Sequence, residues 1–437
     1  MKKVAILGSG ISGIGSAMLA KKNGYDVFIS ENRTISDKKF LLDNEIYFEE
    51  LGHDLEKILQ YDFVVKSPGI NNKTKIISEL KRNKMSIISE IEFAYQFTKA
   101  KIIAVTGTNG KTTTTLLISN MLEKAGFDVL TAGNIGISFA MELSLKDYQY
   151  VVLEISSFQL DDIKEFKPHI SIILNITPDH LERYDYKMHK YIDSKMRICK
   201  NQHYNDVLIY NADDDNIFRN LDTQANKFPI SIYKTLDKGA YFKENKININ
   251  INNNNMTIHE LALQGKHNVY NSMAASVAGK VLEVKDFIIR QSLMDFQNIE
   301  HRLEHVLNVH GIEFINDSKA TNINSVWYAL ESMHKKTVWI AGGVDKGNSY
   351  DELLDLVKEK VHSIVLLGEA SNKISKFFKN TVDNISFARS MHEAVLISYD
   401  LANKGEAVLL SPACSSFDMF KNFEERGFEF KKSVRSL

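Results

Sequence analysis

A short segment rich in glycine and threonine carries the clearest chemical signal in this chain. It follows a β-branched run that ends at Thr106, and it consists of Gly107, Thr108, Asn109, Gly110, Lys111, Thr112 and Thr113. Backbone N–H groups of such a turn and of the helix behind it bind anions. The lysine then reaches the β- and γ-phosphates, and a threonine hydroxyl ligates Mg²⁺.

The usual G-x-x-x-x-G-K-[ST] spacing has glycine where this chain has Val105. We therefore predict a variant loop that binds a nucleoside triphosphate, against the alternative of a turn without a ligand.

Two polar residues at the ends of later apolar runs could complete a metal site beside this loop. Glu154 ends the run 150–153, where an acid directed at Mg²⁺ belongs in a phosphate-loop fold. His180 follows the run 173–176 and would reach the same edge of a parallel sheet. Each has a plain alternative, because strand-end carboxylates are often only solvated and single histidines are often structural.

Lys195 is the unusual residue of a predicted helix over 187–200. Helical spacing places it on the apolar face that also carries Met188, Tyr191, Ile192 and Cys199. A lysine on a buried face is costly unless it is paired or chemically modified. The alternative is that its amine reaches past the apolar face to solvent.

Three loops in the last third of the chain follow apolar runs and carry small or cationic residues. Lys319 and Lys346 lie on two of them, and 411–418 forms the third. Two lysines on such loops suit a small anionic substrate or a transition state with dispersed charge. Cys414 has no histidine near it in sequence, so we do not expect a thiol nucleophile.

A second glycine turn, Gly8-Ser9-Gly10-Ile11-Ser12-Gly13, follows the first apolar run. With Glu31 eighteen residues after Gly13, it fits a dinucleotide-binding pattern in which the acid binds a ribose hydroxyl. The same turn serves any diphosphate at a helix N-terminus, including that of a nucleotide sugar. We expect a nucleotide diphosphate here. The alternatives are a nicotinamide or flavin cofactor and a turn that only packs.

Alternating strands and helices must position these residues, which defines an α/β fold class. The predicted strands are 4–7, 27–31, 63–69 (ending in a turn), 101–106, 127–131, 150–154, 170–176, 206–210, 312–316, 337–341, 363–367 and 406–410. They form a Rossmann-like domain over 1–98, a central phosphate-loop ATPase-like parallel sheet over 99–298, and a doubly wound α/β domain over 299–437. The segment 247–251 alternates apolar and polar residues and predicts a hairpin strand ahead of asparagines 252–255.

Composition excludes several classes of partner. The 437 residues are 44% hydrophobic and 25% charged with a net charge of −1, which gives no electrostatic reason to expect nucleic acid. Glycines and serines interrupt the apolar start of the chain, so we expect no signal peptide. No run approaches the roughly 18 apolar residues of a membrane span, and two cysteines make no disulfide framework. We expect a monomeric cytoplasmic protein.

Taken in order, these motifs resemble the ATP-dependent Mur ligases of bacterial cell-wall synthesis along the whole chain. The matching segments are 106–113, Glu154 with 156–160, 175–183, 265–268 with Asn271, His301-Arg302, 316–322, 342–347 and 410–427. The last two, with the glycine turn at Gly8, indicate the glutamate-adding branch of the family. The D-N-P-R loop typical of the diaminopimelate- or lysine-adding members is absent.

The resemblance implies roles for the matching residues. ATP would be held by the phosphate loop with Asn268, Asn271, Arg302 and Asp317. The divalent cation, Mg²⁺ or Mn²⁺, would be held by Thr112, Glu154, His180 and a carbamylated Lys195. Substrates would contact Ser12, Gly13, Arg33, Gly69, Asn134, Ser157, Gln159, Thr321, Lys346, Ser416 and Phe423. The catalytic residues would be Lys111, Lys195, His180, Glu154 and Lys319. The segment 30–33 reads Ser-Glu-Asn-Arg, where the resemblance leads us to expect Asp-x-Arg near uridine.

The implied reaction adds D-glutamate to UDP-N-acetylmuramoyl-L-alanine through an acyl phosphate, with closure of the last domain onto the central one. Other Mur ligases and folylpolyglutamate synthetase-like amide ligases are alternatives of the same class. From other classes, an NAD-dependent oxidoreductase rests only on the first glycine turn. A nucleotide-binding switch would instead hydrolyse ATP slowly without stimulation by any acceptor.

Overall fold

The computed structural model describes residues 2–251, 254–258, 265–296 and 300–437. The chain divides into two compact units, one of Met1–Leu261 with Val269–Asp295 and one of Ala262–Asn268 with Phe296–Leu437. In the described residues, the first unit contains two sheets and the second contains one. The predicted boundary at 298/299 and the predicted turn residues 252–253 lie outside the described residues.

The N-terminal sheet is formed by short apolar runs that are buried on both faces, as parallel strands are. Its strands are β1 (Lys3–Leu7), β2 (Asp26–Ser30), β3 (Tyr47–Glu49), β4 (Phe63–Lys66) and β5 (Ile87–Ser89). Its helices are α1 (Ile11–Lys22), α2 (Lys38–Asp43), α3 (Leu55–Ile58), α4 (Lys75–Arg82) and α5 (Glu90–Tyr95). The order β3-β2-β1-β4-β5 reverses between β1 and β4. The Gly8 turn therefore lies at the switch point where such sheets bind ligands.

The central sheet belongs to the same unit. Its strands are β6 (Lys101–Thr106), β7 (Val129–Gly133), β8 (Tyr150–Glu154), β9 (Ile170–Ile173), β10 (Val207–Asn211), β11 (Asn226–Ser231), β12 (Gly239–Lys243), β13 (Lys246–Ile251) and β14 (Asn254–Ile258). Its helices are α6 (Lys111–Lys124), α7 (Phe139–Leu145), α8 (Ser157–Leu160), α9 (Met188–Met196), α10 (Asp215–Phe218), α11 (Lys266–Val281) and α12 (Asp286–Met294). Short 3₁₀ turns occupy Leu181–Tyr184 and Arg197–Cys199.

Strand order brings the predicted phosphate and metal residues of the central sheet together. The order is β14-β13-β12-β11-β10-β9-β6-β8-β7, so β6 lies between β8 and β9. Strands β6 to β12 run parallel, and the loops that leave β6, β8 and β9 therefore share one edge. Strand β13 pairs antiparallel with both β12 and β14, which confirms the predicted hairpin strand.

The C-terminal sheet repeats the α/β pattern. Its strands are β15 (Glu304–Val309), β16 (Ile312–Asn316), β17 (Thr337–Gly342), β18 (Val361–Leu367), β19 (Asn384–Ala388) and β20 (Ala407–Ala413). Its helices are α13 (Ile323–Glu331), α14 (Leu354–Lys360), α15 (Ser371–Phe378), α16 (Met391–Leu401) and α17 (Phe423–Arg435), with a 3₁₀ turn at Asp351–Leu353. The order β15-β16-β20-β17-β18-β19 places the loops after β16, β20 and β17 side by side. Of the helices described, none is long and apolar enough to cross a membrane.

Candidate active site

The phosphate loop has the predicted strand–turn–helix geometry. Gly107 and Gly110 have φ values of +155° and +81°, which favour glycine, and Gly110 caps the start of α6. A Cβ on Gly110 would lie 2.3 Å from Asn271 Oδ1, so this position also has no room for a side chain. Lys111 Nζ donates to the carbonyls of Gly107 and Thr108, each at 2.8 Å. The loop thus folds with its lysine held over its own backbone.

Glu154 joins two other predicted site residues at the end of β8. Its carboxylate is buried, and it accepts hydrogen bonds from Thr112 Oγ1 at 2.6 Å and from Asn134 Nδ2 at 2.8 Å. Thr112 comes from the first turn of α6, and Asn134 comes from the loop after β7. The structure therefore brings a predicted metal ligand, a predicted phosphate-loop hydroxyl and a predicted substrate contact within hydrogen-bonding distance.

Lys195 is buried beneath the same loop. Its residue is 2% exposed, and its Nζ donates to the Gly107 carbonyl at 2.8 Å, so the amine does not reach solvent. Burial lowers the pKa of Lys195 well below its usual value, and the charge of Lys111 lowers it further. Asp179 and Glu154 act in the opposite direction. The lowered pKa therefore shifts Lys195 towards the neutral amine, which is the form that carbon dioxide can carbamylate.

His180 lies at the rim of the same edge. Its side chain is 37% exposed, and its ring packs edge-on against Phe158 with 5.1 Å between ring centres. Its backbone φ of +52° turns the chain sharply after β9. In the part of the chain that the structure describes, no three His, Cys, Asp or Glu side chains lie close enough to bind a metal ion by themselves.

Ser157 and Gln159 both lie in the single turn of α8, and both are buried. Gln159 Oε1 accepts the Ser156 N–H at 2.9 Å, while the Ser156 hydroxyl accepts the Gln159 N–H, which makes a capping box. The Gln159 side chain therefore caps the start of α8, whereas the sequence predicted a substrate contact at this position.

The N-terminal glycine turn is held by its own backbone and by Glu31. A Cβ on Gly13 would lie 1.9 Å from the Gly8 carbonyl, so only glycine fits there. Glu31 accepts the Ser9 N–H at 2.7 Å and the Arg33 N–H at 3.0 Å. Burial alone would raise the pKa of Glu31, but these donors outweigh it and the pKa is lowered. Its carboxylate is thus engaged by the turn, where the oxidoreductase hypothesis places a ribose.

The predicted adenine contacts lie at the start of α11, which passes from the second unit into the first. Asn268 is buried in the second unit. In the first unit, buried Asn271 accepts a hydrogen bond from Thr114 Oγ1 at 3.3 Å.

In the second unit, Asp317 is buried at the end of β16. It accepts hydrogen bonds from Ser411 Oγ at 2.8 Å and from the Leu303 N–H at 3.3 Å. Burial raises the pKa of Asp317 to about 7, although Arg302 and Arg426 lower it. The charge of Arg302 therefore acts on Asp317, and both residues are predicted nucleotide contacts.

The predicted amino-acid contacts of the second unit occupy adjacent loops. Lys319 Nζ lies 5.2 Å from the centre of the Phe423 ring, and Ser416 is buried in the loop after β20. Thr321 and Lys346 are half-buried in the loops after β16 and β17.

Sequence reasoning missed Arg426, which is buried in α17. Its guanidinium donates to Ser318 Oγ at 3.0 Å, to the Ser318 carbonyl at 2.8 Å and to the Cys414 carbonyl at 3.1 Å. It thereby joins the loops after β16 and β20. No motif marks this arginine, since α17 is rich in charged residues of both signs.

Comparison with known proteins agrees with this fold. A family model described as "Mur ligase middle domain" matches residues 105–279, one described as "Mur ligase, glutamate ligase domain" matches 301–414, and one described as "MurD N-terminal domain" matches 3–76. The chain belongs to the Mur ligase family.

Relatives that match over their whole length carry a more particular name. The UDP-N-acetylmuramoylalanine–D-glutamate ligase of Christiangramia forsetii is 51% identical over 443 residues, and that of Bacteroides fragilis strain YCH46 is 48% identical over 444 residues. In both comparisons 100% of this chain and 100% of the relative are covered.

Solved structures share the fold at low identity. A pseudomurein peptide ligase type C from Methanothermus fervidus matches with a TM-score of 0.64 at 20% identity. The UDP-N-acetylmuramate–alanine ligase MurC from Thermotoga maritima matches with a TM-score of 0.63 at 17% identity. Each match covers 100% of both chains, and at these identities it is evidence for the fold alone.

Proposed function

We propose that this chain is an ATP-dependent ligase that joins the terminal carboxylate of UDP-N-acetylmuramoyl-L-alanine to the amine of D-glutamate, in the synthesis of peptidoglycan precursors. The observation that carries the proposal is whole-chain identity of 41–51% to relatives that bear this name. The convergence of Lys111, Thr112, Glu154 and Lys195 at one sheet edge supports it chemically.

In the first step, the acceptor carboxylate attacks the γ-phosphorus of ATP, and ADP leaves to give an acyl phosphate. The positive end of α6 and the loop N–H groups bind the phosphates. Lys111, now resting on loop carbonyls, would move its ammonium onto the phosphate oxygens. No protein nucleophile is required, since positioning and charge stabilisation are enough for phosphoryl transfer.

The oxygen donors of the site fit a divalent cation such as Mg²⁺ or Mn²⁺. Thr112 Oγ1 and Glu154 Oε2 lie 2.6 Å apart next to the phosphate loop, and these two would hold it together with His180. Carbamylation of Lys195 would add a carboxylate-like ligand and remove the buried amine from its unfavourable environment. When bound, the cation offsets negative charge on the phosphates.

In the second step, the neutral amine of D-glutamate attacks the acyl carbon, and phosphate leaves from the tetrahedral intermediate. Lys319, Lys346, Thr321, Ser416 and Phe423 would bind the amino acid. Two lysines suit its two carboxylates and the oxyanion that forms at the acyl carbon. Ser12, Gly13, Arg33, Gly69 and Asn134 would hold the UDP-linked acceptor. The substrates are small and water-soluble, which fits an enzyme that acts in the cytoplasm.

The test is release of phosphate from ATP with Mg²⁺ and UDP-N-acetylmuramoyl-L-alanine, with and without D-glutamate. L-glutamate and L-lysine are the controls. We expect release that requires both the acceptor and D-glutamate. Release with L-lysine would instead indicate another Mur ligase, and ATP hydrolysis indifferent to both substrates would indicate a nucleotide-binding switch.

A further inference from the structure

A tight turn follows β4 and lies against the N-terminal glycine turn. The Ser67 N–H donates to the Leu7 carbonyl at 3.0 Å, and the Ile70 N–H donates back to the Ser67 carbonyl at 3.1 Å. Ser67 Oγ lies 2.7 Å from the place where a Cβ on Gly8 would stand. We call residues 67–70 the SPGI turn, and it shares the ligand-binding edge of the sheet with the Gly8 turn.

Arg183 of the central region holds this turn by its carbonyls. Its Nη2 donates to Pro68 O at 2.6 Å and to Ile70 O at 2.8 Å, and its Nη1 donates to Gly69 O at 3.4 Å. The guanidinium carbon lies 4.0 Å from the centre of the Phe158 ring, the ring that packs against His180. One planar side chain therefore holds three successive peptide carbonyls and also packs on the Phe158 ring.

Lys66 holds the same turn from inside the protein. Its side chain is fully buried, its Nζ donates to Ile70 O at 3.0 Å, and it forms an ion pair with Asp162 Oδ2 at 2.9 Å. The ion pair joins β4 of the N-terminal sheet to the segment after α8 of the central sheet. Ile70 O is thus bound by two cationic groups, one on each side of the turn.

The contact between Arg183 and Pro68 O fixes the direction of one backbone donor, the Gly69 N–H. In a trans peptide the N–H points opposite to the C=O, and the described residues contain no cis peptide. Since Pro68 O faces Arg183, the Gly69 N–H must face away from it. Among the described residues the Gly69 N–H has no hydrogen-bond acceptor, and Gly69 is exposed. The turn therefore presents a free donor at the ligand-binding edge.

We propose that Arg183 and Lys66 are positioning residues that hold the SPGI turn so that the Gly69 N–H donates to an anionic or carbonyl oxygen of the nucleotide-linked acceptor. The identity of that acceptor rests on the proposed function. Arg183 holds the Pro68–Gly69 peptide directly, and Lys66 holds the Ile70 carbonyl at the end of the turn, so both act on the acceptor through the turn. The nucleoside triphosphate is proposed to bind at the loop 107–113, to whose described residues neither Arg183 nor Lys66 donates a hydrogen bond, so we expect a larger effect on the acceptor than on ATP.

The main test compares Arg183→Lys with wild type. Lysine keeps the charge, but a single ammonium cannot span three carbonyls. We expect the KM and the calorimetric Kd for UDP-N-acetylmuramoyl-L-alanine to rise about tenfold, the loss of one well-directed hydrogen bond. We expect the KM for ATP to stay within about twofold of wild type, which is below the effect of one lost hydrogen bond.

The double variant Lys66→Met with Asp162→Asn removes the buried ion pair without leaving either charge unpaired. It should raise the acceptor KM in the same direction as Arg183→Lys. The matched control is Lys360→Gln. Lys360 Nζ also holds two carbonyls, Glu331 O at 2.7 Å and Met333 O at 2.9 Å, but in the second unit and at the amino-terminal end of β18. This control should leave the acceptor KM unchanged.

An unchanged acceptor Kd in Arg183→Lys would overturn the proposal. Equal rises in the KM for the acceptor and the KM for ATP would also overturn it. So would a rise in the acceptor KM in Lys360→Gln as large as that in Arg183→Lys, because either result would indicate a general loosening of the fold. If the wild type binds the acceptor but does not ligate D-glutamate, the proposed function fails. The acceptor Kd then still decides the positioning role.

Discussion

The N-terminal and central regions each bury one lysine beneath a turn that is proposed to bind a ligand, but the two lysines have different partners. Lys66, 1% exposed, lies under the SPGI turn with Asp162 Oδ2 2.9 Å from its Nζ. Lys195, 2% exposed, lies under the phosphate loop and donates to an uncharged acceptor, the Gly107 carbonyl. A second cation, Lys111, donates to that same carbonyl.

The difference shows that the charges near a buried lysine decide how far its pKa falls. Burial lowers the pKa of both lysines, but Asp162 opposes this for Lys66, whereas Lys111 strengthens it for Lys195. Lys66 is therefore a structural cation. For Lys195 the lowered pKa shifts the equilibrium towards the neutral amine, which is the form that modification can convert into a ligand.

The largest effect should come from Lys195→Ala. We expect ligation to fall roughly 10³-fold, the loss typical of a preorganised charge-stabilising group. A short carboxylic acid added to the buffer should restore part of the activity by replacing the carbamate. Phosphate release measures both effects, and Lys200→Ala, an exposed lysine five residues further along the chain, is the control. Full activity in the Lys195 variant would remove the carbamate hypothesis.

The second largest effect is a difference in the free energy of unfolding between variants of Lys66 and of Lys195. Lys66→Met leaves Asp162 buried without its cation and should lower the free energy of unfolding by about 3 kcal/mol. Adding Asp162→Asn should recover most of that loss, because no unpaired charge then remains. Lys195→Met should be neutral or stabilising, since it replaces a buried amine with an apolar side chain. Urea unfolding measures all three variants. Equal losses in Lys66→Met and Lys195→Met would contradict the comparison.

The smallest effect is a difference in pH dependence. Between the lowered pKa of native Lys195 and its ordinary value of 10.5, the unfolded chain binds one more proton than the native chain. Wild-type stability should therefore rise with pH by about 1.4 kcal/mol per unit more than that of Lys195→Met. Urea unfolding at pH 7, 8 and 9 in buffers free of carbon dioxide measures this slope. Parallel profiles would mean that Lys195 is charged in the native protein.

Much of the fold follows from hydrophobic runs. The predicted strands 101–106, 150–154 and 312–316 match β6, β8 and β16 in full, because each contains a short run of apolar and β-branched residues with polar residues nearby. The predicted helix over 187–200 ends at Met196 and continues as a 3₁₀ turn. The pattern missed the edge strands β3, β5 and β19 and also β11, β12 and β15. β11 contains Pro229, which argues against a strand inside a sheet.

The sequence by itself determined the class of chemistry: a glycine turn followed by Lys111 and Thr112, acids and a histidine at strand ends, and Lys195 on an apolar helix face. Only the tertiary structure decided what these groups touch. Strand order placed β6 between β8 and β9 and so joined Thr112 to Glu154. Packing gave Lys66 a carboxylate and Lys195 a carbonyl, and it brought Arg183 onto the SPGI turn. Such pairings join residues far apart in sequence, and no local pattern specifies them, because they arise only when separate elements pack together.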